Sequence, residues 1–278
     1  MKTTSFRLCL LLAYSVTLLA SCAHDVLPAA DHKPKIPGAV SFPGSAAGIF
    51  DSPVQLTGQI KRPAGAGPFA AVILLHGCGG ITPKRDERWV EKLVGLGYVT
   101  LQVDSFGPRG IDSACTFSGN DAIDIVQRRV TDAYAAKRYL ASLPEVDRKR
   151  IALMGWSHGG LTTVQALYQE KEEPFRAAVA LYPACQRPLT GLNAPLLILI
   201  GADDDWTSAS RCQAMLPREK AEPEVFLKVY PGAKHGFDIL GADRYVQGSR
   251  GRHHLQYQKE AASDAALQVR DFLGKQLR

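Results

Sequence analysis

Apolar positions along the chain alternate between two kinds of segment. Short runs such as AAVILLHG (70–77), YVTLQVD (98–104), RIALMGW (150–156), FRAAVALYP (175–183), APLLILIGA (194–202) and EVFLKVYPG (224–232) are mostly aliphatic and carry glycine, proline or aspartate within their last two residues. Such runs predict strands buried on both faces. Between them, KRDERWVEKLVGLG (84–97) places Trp89, Val90, Leu93 and Leu96 at helical spacing and stops at glycine. Further helices are predicted over 121–142, 158–169, 208–216 and 257–277. VQLTGQIKR (54–62) reads as an edge strand before the turn PAGAGP. This order predicts an α/β fold, a doubly wound and mostly parallel sheet with helices on both faces. Neither repeats nor a second domain interrupt it. One irregular segment, SFGPRGIDSACTFSGN (105–120), is long for a compact domain, and loops of that length tend to carry function.

The first forty residues follow a different pattern. Lys2 and Arg7 precede the apolar LCLLLAYSVTLLA, too short to span a membrane as a retained helix. Residues 1–21 are therefore expected to be a signal peptide. Leu19-Ala20-Ser21-Cys22 resembles the lipobox of bacterial lipoproteins, which implies acylation of Cys22 and a membrane anchor. The polar, proline-rich residues 22–38 then read as a tether, with the folded domain over 39–278. Ala23 after the cysteine resembles lipoproteins sorted to an outer membrane, so the expected address is its periplasmic face.

Composition narrows the classes. Of the 278 residues 46% are hydrophobic, enough for a sizeable core and too many for a disordered chain. Loss of Lys2 and Arg7 takes the 33 basic side chains to 31 against 27 acidic ones, a net charge of +4. No basic stripe interleaved with aromatics appears, so nucleic acid is not an expected partner, and SRGRHH (249–254) reads as a solvated loop. Export implies an oxidising compartment, where Cys78, Cys115, Cys185 and Cys212 are expected to form disulfides. The predicted topology brings Cys78 closest to Cys115 and Cys185 closest to Cys212. The absence of C-x-x-C spacing argues against a structural zinc, and no cofactor is expected.

The chemistry gathers where strands end. Gly155-Trp156-Ser157-His158-Gly159 lies between a predicted strand and a predicted helix, which is the context of the Gly-x-Ser-x-Gly nucleophile elbow. A strand reversing into a helix within a few residues strains the serine backbone, and side chains at the flanking glycines would collide. A serine so placed needs a histidine oriented by a carboxylate, in the chain order Ser, Asp or Glu, His. GADDDWT offers Asp203, Asp204 and Asp205 after one strand, and the residues alone do not choose among them. KHGF places His235 after the last strand. Of the other histidines, His24 and His32 fall in the tether, His253 and His254 in a polar loop. His158 should turn its ring away, and His76 fits packing or loop bracing. Oxyanion donors, worth roughly 3 to 4 kcal/mol each, are expected from the N–H of His158 and from HGCGG (76–80), through Cys78 or else Gly79. Arg109 could meet an anionic substrate or form a structural ion pair. Tyr182 and Trp206 are expected to wall the pocket.

LLHGCGG, VDSFGPRG, MGWSHGG, LIGADDDWT and YPGAKHGF, in that order across about residues 50–275, together resemble the dienelactone hydrolase family of α/β hydrolases. The resemblance implies a cap-less or lightly capped serine hydrolase of the α/β-hydrolase fold, with Asp204 as the carboxylate by the family's Gly-x-x-Asp pattern from Gly201, and His235 as the base. Two departures bear on substrate: the enzymes that name the family carry cysteine where this chain has Ser157, and glutamate at about the place of His76. The residues thus point to a small carboxyl ester, cleaved through an acyl-enzyme, rather than to dienelactone. A peptidase or acyltransferase with the same three residues, or a non-catalytic binding lipoprotein, are the alternatives.

Overall fold

A computed structural model describes residues 39–44, 53–169, 172–219 and 222–278. The expected signal peptide, the tether and Cys22 lie outside the described residues. Eight strands form one sheet: β1 (Val40–Pro43), β2 (Gln55–Lys61), β3 (Phe69–Leu75), β4 (Val99–Asp104), β5 (Val146–Trp156), β6 (Ala178–Leu181), β7 (Leu196–Gly201) and β8 (Val225–Tyr230). Their order is β1-β2-β4-β3-β5-β6-β7-β8. β1 and β2 pair antiparallel, as do β2 and β4, and every later pairing is parallel. The central strands are buried along nearly their whole length because helices cover both faces, which is why they read as unbroken aliphatic runs.

The helices are α1 (Pro83–Gly95), α2 (Gly119–Ala141), α3 (His158–Ala166), α4 (Ala209–Ala214) and α5 (Lys259–Gln276). α1 begins with Pro83 in its first turn, and the Asp86 carboxylate accepts the N–H of Thr82 at 2.7 Å. Both devices satisfy a helix start without a free backbone donor.

Two expectations need correction. β2 is not the edge strand: β1 pairs outside it, aligning Val40 with Gly58 and Pro43 with Gln55. Only four residues long, and with Phe42 alone of them buried, β1 carries too little apolar pattern to stand out from the polar segment before it. The supposed solvated loop at 249–254 is the turn and second arm of a hairpin, β9 (Asp243–Gly248) paired antiparallel with β10 (Gly251–Gln256). Most of its side chains are at least partly exposed, so no period-two hydrophobic signal marks it. It is held to the body by Leu255 and Val246, packed with Ile239, Ala242 and Trp206.

The Cys78–Cys115 and Cys185–Cys212 disulfides are both formed, as expected. The first ties the loop after β3 to the long segment before α2. No helix of the described residues is long and apolar enough to cross a membrane.

Candidate active site

Ser157 stands between β5 and α3 with φ 53° and ψ −115°, a conformation that costs a residue with a Cβ on the order of 1–3 kcal/mol. The surroundings hold it there. A Cβ on Gly155 would collide with the Gly159 carbonyl, and one on Gly159 with the Leu75 carbonyl, so the elbow closes only with glycine at both positions. The other non-glycine residue of positive φ among the described ones is Tyr182, at the end of the neighbouring strand β6. Local strain therefore concentrates at this end of the sheet.

Three side chains from three loops meet there. The Ser157 hydroxyl lies 2.9 Å from His235 Nε2, and His235 Nδ1 lies 2.8 Å from Asp204 Oδ2. A carboxylate only accepts, so Nδ1 carries the proton and Nε2 is left to accept from the serine. Asp204 Oδ1 accepts the N–H groups of Trp206 at 2.9 Å and Thr207 at 2.8 Å, and the Thr207 hydroxyl lies 2.8 Å from Oδ2. Burial pushes the Asp204 pKa up, but the His235 ring and these hydrogen bonds outweigh it and hold the carboxyl below its usual range. The neighbours are thereby separated: Asp203 is exposed, whereas the exposed Asp205 accepts the His254 N–H at 3.2 Å and fastens the hairpin.

Behind the imidazole stands a second carboxylate. Asp238 is buried and accepts from Trp89 Nε1 at 2.7 Å, Trp156 Nε1 at 3.0 Å and the Tyr182 hydroxyl at 2.6 Å. The Tyr182 ring in turn meets the His235 ring edge-on at 4.7 Å. Tyr182 thus does not wall the pocket. It is buried beneath the histidine as a support, because its hydroxyl needs a partner that only the interior supplies. Trp206 does line the cavity, 5.0 Å from the His235 ring and stacked at 4.7 Å on His253.

Arg109 also departs from the substrate-facing alternative. Its guanidinium makes a two-point pair with the buried Asp132 at 2.8 Å in both arms and donates to the Ser105 carbonyl. With its donors so engaged it braces the 105–120 segment and does not reach the cavity.

Cys78 and His158, whose N–H groups are the expected oxyanion donors, line a cavity of about 640 Å³ together with Ser157, Cys115, Trp206 and His253. Neither N–H group donates to another described residue. Their segments are joined by Arg129, a fully buried residue of α2 whose Nη2 donates to the His76 carbonyl and Nη1 to His158 Nδ1, each at 2.6 Å. Accepting from Arg129 requires a neutral imidazole. Burial and then the guanidinium charge push the His158 pKa down to about 3. His76 is likewise held well below 6.5 by burial and Arg129. Its Nδ1–H donates to the Gly77 carbonyl at 2.8 Å, and its Nε2 accepts the more distant Ser105 N–H. It braces two loops, as expected.

Sequence reasoning missed Arg129, Asp238, Thr207 and His253. Arg129 could have been noticed, because it shares the buried stripe of α2 with Ile125, Asp132, Ala136 and Leu140 at three- and four-residue spacing. Asp238 had no such signal. Its partners lie 149, 82 and 56 residues away in the chain.

This sheet order, with an elbow serine and its histidine and aspartate partners at the carboxyl ends of the strands, is that of an α/β hydrolase. The sequence profile of the dienelactone hydrolase family matches residues 56–277, and the chain belongs to that family. Among solved structures it is similar to a dienelactone hydrolase-like promiscuous phosphotriesterase from metagenomic libraries, with TM-score 0.66 and 20% identity over 86% of this chain and 98% of that one. Esterase 2 of Thermogutta terrifontis superposes with TM-score 0.59 and 21% identity, covering 87% of this chain and 96% of that one. Among curated proteins, a probable dipeptidyl-aminopeptidase B of Grosmannia clavigera is 39% identical over 93 residues, 32% of this chain. The match spans only 9% of that relative's length.

Proposed function

We propose that this hydrolase-family member cleaves carboxyl esters of small molecules, with Ser157 as nucleophile, His235 as general base and then acid, and Asp204 holding the imidazole in its Nδ1–H form. The observation that carries the reading is the unbroken hydrogen-bond line from Ser157 Oγ through His235 to Asp204, beside a cavity lined by Cys78 and His158, whose N–H groups have no acceptor among the described residues. Ser157 Oγ attacks the ester carbonyl as its proton passes to His235 Nε2. The oxyanion is met by the N–H groups of Cys78 and His158, donors of the kind worth roughly 3 to 4 kcal/mol each. Collapse expels the alcohol, which takes the proton from His235. Water, deprotonated by the same nitrogen, then attacks the acyl-enzyme and frees Ser157. Trp206 serves as a wall for the bound ester.

Hydrolysis of p-nitrophenyl acetate, with labelling of Ser157 by a fluorophosphonate, tests this reading. Ser157→Ala should lower kcat about 10⁴- to 10⁶-fold. Absence of both turnover and label in the wild type would favour a binding lipoprotein instead. The local identity to the dipeptidyl-aminopeptidase B favours a peptidase as second reading; faster release from dipeptidyl p-nitroanilides than from esters would establish it.

The N-terminal reading is proposed with it: export, acylation of Cys22 and anchoring at the periplasmic face of a bacterial outer membrane. Incorporation of labelled palmitate into the wild type but not into Cys22→Ser is the expected result.

A further inference from the structure

The cavity at Ser157 does not end at the elbow. A second cavity of about 650 Å³ runs between α2 and α3 and shares Ala122, His158, Leu161 and Gln186 with the first. Its wall on the α2 side carries an aliphatic row, Ile123, Val126 and Val130, at the three- and four-residue spacing of one helix face, flanked by Gln127 and Thr131. Ile123 is 55% exposed, an open branched side chain between Asp121 and Asp124 in sequence. Among the described residues no carboxylate borders this groove. The charged residue of its described wall, Arg187, lies over the Tyr168 ring at 3.8 Å.

The chemistry orients the substrate relative to this groove. His235 Nε2 must hand its proton to the departing oxygen, so the alcohol side of the ester faces His235 and the Trp206–His253 stack. The acyl chain leaves the carbonyl carbon on the other side, toward His158 and Leu161. Both of these residues belong to the two cavities alike.

We infer that the groove between α2 and α3 is the acyl subsite, and that the favoured substrates carry an elongated, uncharged, apolar acyl group reaching Ile123 and Val126. This rests on the ester-hydrolase reading above. Each methylene taken fully from water is worth about fourfold in binding, so length selectivity reports the groove directly.

The test is a series of p-nitrophenyl esters from acetate to laurate, run on the wild type, Ile123→Asp and Gln165→Trp, with fluorophosphonate labelling of Ser157 in parallel. For the wild type, kcat/KM should climb at least tenfold from acetate to octanoate. Ile123→Asp sets a charge in the aliphatic row, and Gln165→Trp fills the groove beyond Leu161. In each the octanoate-to-acetate ratio of kcat/KM should fall at least fivefold. A flat or declining wild-type profile with Ser157 labelled would overturn the acyl subsite and leave the hydrolase reading standing, as would variants that keep the wild-type ratio. An unlabelled Ser157 and no turnover would overturn both.

Discussion

At Asp204 two oxygens are given different tasks: Oδ1 takes two backbone N–H groups, and Oδ2 takes the imidazole. The backbone bonds fix the carboxylate plane, so the orientation of His235 follows from the turn that carries Trp206 and Thr207. Asp205, one residue on, points to the hairpin. Asp204→Asn should therefore cost about 10⁴-fold in kcat, the penalty of holding the wrong imidazole tautomer. Asp205→Asn should change it only a few-fold. Initial rates on p-nitrophenyl acetate separate the two, and the reverse order would reassign the acid. The three adjacent aspartates are chemically alike in sequence, and only the family's Gly-x-x-Asp spacing singled one out. What distinguishes them is which oxygen faces a ring contributed from 31 residues away.

The elements differ in how openly the chain announces them. β3, β7 and the Ile151–Trp156 part of β5 were visible because burial on two faces demands apolar residues throughout. β1 and the β9–β10 hairpin were not, because a short or solvent-facing strand is held by neighbours that lie far away in sequence. The hairpin nonetheless matters to the site: the Gln256 N–H donates to the His235 carbonyl, and His253 stacks on Trp206. The elbow is the opposite case, since its glycines are read directly from the motif and have one steric reason each. Gly159→Ala would drive a methyl group into the Leu75 and His76 carbonyls, and rigid backbone on both sides leaves no room for repair. We expect a loss of at least about 3 kcal/mol in stability. Thermal unfolding and fluorophosphonate labelling should fall together, whereas Gly274→Ala in α5, with no atom within 4 Å of the added methyl group, should lower neither.

Over the whole molecule, the buried histidines tie stability to pH. The pKa values of His76 and His158 are held below 6.5 in the native protein, so below that pH the unfolded chain binds protons the native one refuses. The contribution of these two histidines to stability falls as pH drops from about 6.5, and for His158 the loss ends near a pH of about 3. Asp204, whose carboxyl is held down, adds a further loss only below its ordinary value of 3.8. Each histidine contributes a slope of up to about 1.4 kcal/mol per pH unit. Between pH 6.5 and 5 the Tm should decline by several degrees, and His76→Gln, which keeps an amide donor and acceptor in place, should make the decline shallower. An unchanged slope in that variant would remove His76 from the account.

The order of the strands from β2 to β8 and of the helices, the elbow serine, the following histidine and both cysteine pairings were all legible in the chain, because each follows from local periodicity, a short motif or the topology those imply. Placement of the side chains was not. That Arg109 turns inward to Asp132, that Tyr182 supports His235 from below, that Arg129 joins the two N–H segments and that Asp238 gathers two tryptophans and a tyrosine all depend on partners tens of residues away. A buried polar group must find a partner wherever the fold brings one, and the linear chain carries no distance information of that kind. The same holds for the groove between α2 and α3, whose aliphatic row reads in sequence as ordinary helix core and becomes a cavity wall only where the neighbouring helix leaves it uncovered.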